Sequence, residues 1–170
     1  MKNFKNRKLF FIVLIGIISL FTNCKDVIED ELDQDVPVIG DMSYEVGGVK
    51  RTMKVKTFMQ YDQTLILFGE DGNGITEANS FSVSIEPYTK ETGVFDSKSA
   101  PETSLEYSEL KGTNLTNASL AMWGSNDQLV ELTSVKNNVV EGTFSGTLVP
   151  LEGDAKGTSK VTNGTFKVKI

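Results

Sequence analysis

The chain has 170 residues, of which 17 are basic and 23 acidic, for a net charge of −6, and it contains no histidine. The acidic balance argues against a nucleic-acid partner, because displacing counterions from phosphate takes a basic stripe. Lacking histidine and carrying one cysteine, the chain has neither a Ser-His-Asp or Cys-His nucleophile system nor the ligand set of zinc and copper sites. Carboxylate pairs, serine with lysine, and a hard cation held by oxygen are the chemistries left open.

In chain order, a basic start (Lys2, Lys5, Arg7, Lys8) leads into an apolar run over residues 9–21 that stops at Thr22-Asn23-Cys24. A membrane-spanning helix needs about 20 apolar residues, so this shorter run reads as an export signal over residues 1–23. Cys24 is the only cysteine. A thiol directly after a signal sequence and nowhere else resembles the arrangement of bacterial lipoproteins, in which that cysteine becomes the N-terminus and carries lipid such as palmitate. Phe21 and Asn23 depart from the usual lipobox, which favours an aliphatic residue three before the cysteine and a small one directly before it. An Ala-x-Ala-like secretory site is absent as well, and lipidation of Cys24 is the expectation. Removing residues 1–23 takes four basic and no acidic residues, which leaves 13 against 23 and a net charge of −10.

Residues 24–40 form the next segment, with six acids and one lysine over residues 25–40. Such a composition buries too little apolar surface to offset its ordering entropy and predicts a flexible tether. It also resembles the acidic stretch that follows the cysteine in Bacteroidetes lipoproteins carried to the outer face of the outer membrane. At full extension, sixteen residues reach up to about 55 Å. The implied location is the outer membrane, lipid-anchored and facing outward.

Residues 41–170 are long enough for one core, which must hold without disulfides. The apolar period there is two: Phe81, Val83 and Ile85 alternate with serines, and Phe166, Val168 and Ile170 alternate with Thr165, Lys167 and Lys169. Val49, Met53, Val55 and Met59 share one parity. These patterns predict strands at 42–46, 49–60, 63–68, 80–86, 104–110, 118–123, 129–135, 139–149 and 165–170, with a short one at 93–95 inside a loop over 89–101. Gly47-Gly48, Asp71-Gly72-Asn73-Gly74, Lys136-Asn137-Asn138 and residues 153–157 supply the turns. Short strands with regular turn signals predict an all-β fold, an antiparallel β-sandwich or, alternatively, a small up-and-down or lipocalin-like barrel.

If Val140, Phe144 and Leu148 face inward, Gly142 and Gly146 face inward between them, leaving gaps for bulky residues opposite or marking a bend. Lys167 and Lys169 then point outward, where charge discourages edge pairing. The run Val140-Glu141-Gly142-Thr143-Phe144-Ser145-Gly146-Thr147-Leu148, followed by Val161-Thr162-Asn163-Gly164-Thr165-Phe166-Lys167-Val168, resembles the C-terminal hairpin of a family of small Bacteroidetes lipoproteins of unassigned function. The resemblance covers about thirty residues. It implies one all-β domain, a sandwich, and an envelope location, and it brings no catalytic or binding residue.

No residue pattern singles out a catalytic, cofactor or metal site. Any two of Glu70, Glu77, Glu86, Glu106, Glu109 and Glu131 meeting in the fold would make a glycosidase-like pair, but nothing selects two. Asp71-Gly72-Asn73-Gly74 opens like a calcium loop and then fails, because Ile75 and Thr76 stand at the fifth and sixth positions. A hairpin turn is the simpler reading. Trp123 with Phe58 and Tyr107 on an exposed parity would suit stacking on a sugar, although core packing is the commoner fate of a single tryptophan in a strand. The resulting expectation is a non-enzymatic binding module for glycan or protein. Its alternatives are an accessory subunit of an envelope complex and a hydrolase using two carboxylates.

Overall fold

The computed structural model describes residues 38–72, 77–112 and 117–170. The leader, Cys24, nearly all of the tether and the second half of the Asp71-Gly72-Asn73-Gly74 turn lie outside the described residues. Ten strands follow in order: β1 (Gly40–Val46), β2 (Val49–Tyr61), β3 (Thr64–Gly72), β4 (Glu77–Ile85), β5 (Gly93–Asp96), β6 (Ser104–Lys111), β7 (Ser119–Ser125), β8 (Leu129–Lys136), β9 (Val139–Gly153) and β10 (Ser159–Lys169). Gly47 and Gly48, with φ of 58° and 81°, make the β1–β2 turn in the left-handed conformation that a two-residue hairpin requires.

All pairings are antiparallel, and the sheet closes on itself. β1 to β4 form a meander, β4 pairs with β6, β6 with β7, β7 with β9, β9 with β10, and β10 returns to β1. The seam is a full ladder, from Gly40 opposite Val168 to Val46 opposite Val161. The long β9 takes two partners along one edge: β8 against residues 139–145 and β7 against residues 148–153. β7 and β8 are thus one interrupted rung, and β5 and β6 are another, because β5 pairs with β8 as β6 pairs with β7. Eight rungs make a closed antiparallel barrel. The all-β expectation holds, and of the two architectures the barrel fits where the sandwich does not. A sandwich keeps two sheets with free edges, whereas here the first and last strands are hydrogen-bonded.

Closure also changes the role of β10. Lys167 and Lys169 do point outward, and Lys167 Nζ reaches Glu141 Oε1 at 2.6 Å, but their strand lies between β1 and β9 and is no edge. Its first half, residues 159–164, escapes the alternation reading because a bulge between Val161 and Gly164, with Asn163 at φ 53°, breaks the period. A second bulge, between Val55 and Thr57, shifts β2 by one residue. Met53 and Val55 face inward, but Met59 then stands opposite Ile66 on the outer face, so the shared parity of Val49, Met53, Val55 and Met59 breaks down. Bulges of this kind bend strands enough to close a small barrel.

The interior is packed with side chains rather than open. Tyr44, Phe81, Phe144, Phe166, Tyr107 and Trp123 form a connected aromatic layer, with ring centroids 4.3 Å apart for Tyr44–Phe81 and 5.2 Å for Phe81–Phe144. The inward glycines make room for it. A Cβ at Gly142 would lie 2.5 Å from Phe166 Cζ, and one at Gly164 would lie 2.5 Å from Phe144 Cδ2. Since Gly142 pairs with Phe166 and Gly164 with Phe144, each ring lies over the glycine of the neighbouring strand. The architectural reading of Gly142 is correct, and Gly146 likewise abuts Leu105 Cδ1 at 3.3 Å.

Where the two rungs are interrupted, buried polar groups satisfy the loosened backbone. Gln128 donates to the Thr103 carbonyl and accepts from Ser125 Oγ at 3.3 Å, while Ser125 Oγ accepts from Leu105 N–H at 2.8 Å. Thr103 Oγ1 donates to the Glu86 carbonyl and accepts from Glu86 N–H, both at 3.0 Å. Asp127 holds the Thr147 backbone N–H and hydroxyl from the far side.

Candidate functional site

At one end of the barrel β1, β3, β6 and β9 finish and β2, β4, β7 and β10 start. There the inward positions turn from apolar to polar: Arg51 on β2, Asn79 on β4, Glu109 on β6 and Ser159 on β10. A cavity of ≈ 160 Å³ opens among Val46, Tyr107, Glu109, Trp123, Leu148 and Ser159. Tyr107 and Trp123 stand opposite each other on β6 and β7 and form its aromatic wall, with centroids 5.6 Å apart and planes inclined by 30°.

Arg51 reaches across the interior from β2 to β6. Its guanidinium lies 5.6 Å from the centre of the Tyr107 ring, a cation–π arrangement, and Nη2 is 3.6 Å from Glu109 Oε1. Glu109 is otherwise well supplied with donors: the Tyr107 hydroxyl at 2.6 Å on Oε1 and Lys111 Nζ at 2.7 Å on Oε2. Burial opposes ionisation of Glu109, but the hydrogen bonds from Lys111 and Tyr107 and the charges of Lys111 and Arg51 outweigh it and hold the carboxyl below its ordinary range. The Tyr107 hydroxyl also lies 3.1 Å from Asn79 Oδ1. It has a single proton, which the carboxylate takes, so Asn79 fits with its amide turned to donate.

Arg51 is left incompletely paired. Its Nε–H is buried and meets no acceptor among the described residues. Buried N–H groups nearly always find a partner, so this donor is the least satisfied polar group at this end of the barrel.

The residues named from the sequence are distributed unevenly over this site. Trp123 and Tyr107 do come together, but Tyr107 is 4% exposed and faces inward, because Leu105, Tyr107 and Glu109 form the interior parity of β6. The exposed-parity reading of Tyr107 is thereby corrected. Phe58 lies at the opposite end of the barrel. Of the six glutamates, only Glu109 lines the cavity. Glu70 pairs with Lys56 at 3.5 Å on the outer face, Glu86 accepts from Thr64 Oγ1 at 2.9 Å, and Glu131 is exposed on β8. Asp71 and Gly72 close β3 opposite Asn79 and Ala78 as a hairpin stem, and among the described residues no group of three or more Asp, Glu, His or Cys is placed to hold a metal. Arg51 was the missed residue, although it shares the inward parity of Met53 and Val55, and a charge at such a position is a signal in itself.

In comparisons with known proteins, no family model matches the chain, and neither a curated protein nor a solved structure matches it.

Proposed function

We propose that the chain is a lipid-anchored, non-enzymatic binding protein of the bacterial outer membrane whose barrel mouth takes one neutral sugar ring of a glycan. The observation that carries this reading is the aromatic cavity. At ≈ 160 Å³ it is close to the roughly 150 Å³ that accepts a single six-membered ring, and below the 300–1,000 Å³ of sites that enclose larger ligands. Tyr107 and Trp123 form the aromatic wall for the apolar side of a pyranose, while the Glu109 carboxylate and Ser159 offer partners for its hydroxyls. The surplus of acids disfavours an anionic sugar. Glu109, held ionised by Lys111, Tyr107 and Arg51, is poorly suited to act as a general acid, which favours binding over hydrolysis. The leader, Cys24 and the acidic segment support the anchor and the outer-membrane address, facing outward, as does the resemblance to Bacteroidetes lipoproteins.

Trp123 is the only tryptophan, so its fluorescence reports on the cavity without labelling. Titration with a panel of neutral mono- and oligosaccharides is expected to give a saturable emission change that Ser159→Phe, by filling the cavity without adding a second tryptophan, abolishes. No change in emission or thermal stability with any neutral sugar overturns the glycan reading. For the address, Cys24→Ala is expected to move the protein out of the membrane fraction, and proteinase K is expected to digest the domain on intact cells.

A further inference from the structure

The end of the barrel opposite the mouth carries a second surface. The described chain begins there, with Val38 51% exposed and the Ile39 N–H bonded to the Val55 carbonyl at 2.8 Å. β1 starts at Gly40 opposite Val55, yet β2 continues for six residues past that point, paired only with β3. The end of β2, at the tip of the β2–β3 hairpin, therefore projects beyond β1 at the end of the barrel where the described residues begin. β3 is also paired with β4 here, from Leu65 opposite Ile85 to Leu67 opposite Val83, so this part of β2 is a free sheet edge. It carries exposed apolar groups on both parities: Phe58 stands opposite Leu67 on the interior parity, and Met59 and Tyr61 lie on the outer parity, with exposures of 36%, 37% and 83%. Exposed Lys136 and Lys169 lie at the same end, on the β8–β9 turn and the close of β10.

We infer that this hairpin tip seats the barrel on the membrane that holds its lipid, with Phe58, Met59 and Tyr61 at the boundary between headgroups and acyl chains and the mouth turned away. The inference rests on the anchored-lipoprotein reading. Fourteen positions separate Cys24 from Val38, so the tether keeps the tip within about 50 Å of the bilayer. A tyrosine with an apolar ring and a polar end suits that interface, and lysines suit its phosphates. A weak surface contact becomes occupied once a lipid keeps the domain nearby, because the contact is then intramolecular. Asp62, at the turn itself, limits the depth to a shallow insertion.

The test uses the full chain, purified from membranes and reconstituted into vesicles of phosphatidylethanolamine and phosphatidylglycerol. Cys24 is the only native thiol, so Tyr61→Cys and Leu151→Cys each introduce one free site for a nitroxide. Both positions are exposed, and neither replacement threatens the core. At position 61 the label is expected to be more accessible to oxygen than to a water-soluble nickel chelate, and at position 151, near the mouth, the reverse. If the wild-type chain itself takes label, Cys24 is unacylated, and both the anchor reading and this inference fail. If it refuses label while position 61 reports water as position 151 does, the anchor stands and the membrane-seated tip is overturned.

Discussion

Tyr44 and Tyr107 carry their hydroxyls into the barrel interior. For Tyr44, burial pushes the phenol up, and Asp71 and Glu109 add to the rise against the opposing charge of Arg51. For Tyr107, burial acts first and the hydrogen bond to Glu109 second, with Arg51 again opposing. A phenol whose folded pKa exceeds its ordinary 10.0 stabilises the fold fully below that value and loses the contribution as pH rises toward the folded pKa. Thermal melts are thus expected to be flat to about pH 9.5 and to fall beyond pH 10, by at most about 1.4 kcal/mol per pH unit for Tyr44. Tyr44→Phe keeps the ring packing on Phe81 and loses only the contact to Met53 Sδ at 3.4 Å, so its alkaline decline should be shallower than the wild type's. Equal slopes would mean that the alkaline loss comes from elsewhere. Glu109 has the opposite sign: its contribution is present above 4.5 and disappears as pH falls through its lowered pKa. Half of the mouth was legible in the sequence, since Trp123 was singled out and Glu109 stood among six candidates. The pairing with Arg51 was not, because it crosses from β2 to β6, and alternation alone says which side a residue faces but not what it meets there.

The strands were the most legible elements, because a half-buried strand writes its burial directly into its sequence at period two. Reading failed where a bulge inserted a residue, in β2 after Val55 and in β10 after Val161, since one extra residue exchanges inside for outside. The β9–β10 ladder shows how closely the period is tied to packing. Each of Gly142 and Gly164 lies under a phenylalanine of the other strand, so a side chain there displaces the ring that the aromatic layer is built on. Gly142→Val is expected to destabilise the barrel by about 2 kcal/mol or more, whereas Ser145→Val, on the outer parity of the same strand, should change stability by less than about 0.5 kcal/mol. Urea denaturation of the two variants checks the contrast, and similar midpoints would refute the reciprocal packing. The interruptions between β5 and β6 and between β7 and β8 left no periodic signal. They are specified by individual contacts of Thr103, Ser125, Asp127 and Gln128, which only the folded chain brings together.

Away from the β2–β3 tip the outer wall of the barrel is mostly polar, with Lys54, Glu70, Glu131 and Lys167 among its exposed residues, while below the mouth its interior is apolar. That polarity is the inverse of a membrane-spanning barrel, whose apolar band faces lipid. Closure entered the sequence reading only as the barrel alternative to a sandwich, because the ladder from Gly40–Val168 to Val46–Val161 joins the two ends of the domain and no local pattern encodes which edges meet. If the seam is as strong as the other ladders, β1 and β10 amides should exchange with solvent as slowly as those of β3 and β4 in native-state hydrogen exchange. Fast exchange confined to β1 and β10 would show that the barrel opens along the seam. The same join fixes an order in time. During synthesis β1 has only β2 to hold, and its other edge stays bare until Ser159–Lys169 leaves the ribosome. The nascent domain thus remains an unfinished curl until β10 is made, and so large a share of distant contacts also slows folding afterwards. Under the proposed export, that delay would keep the chain open for threading through a translocation pore, and it is built into the order of the strands.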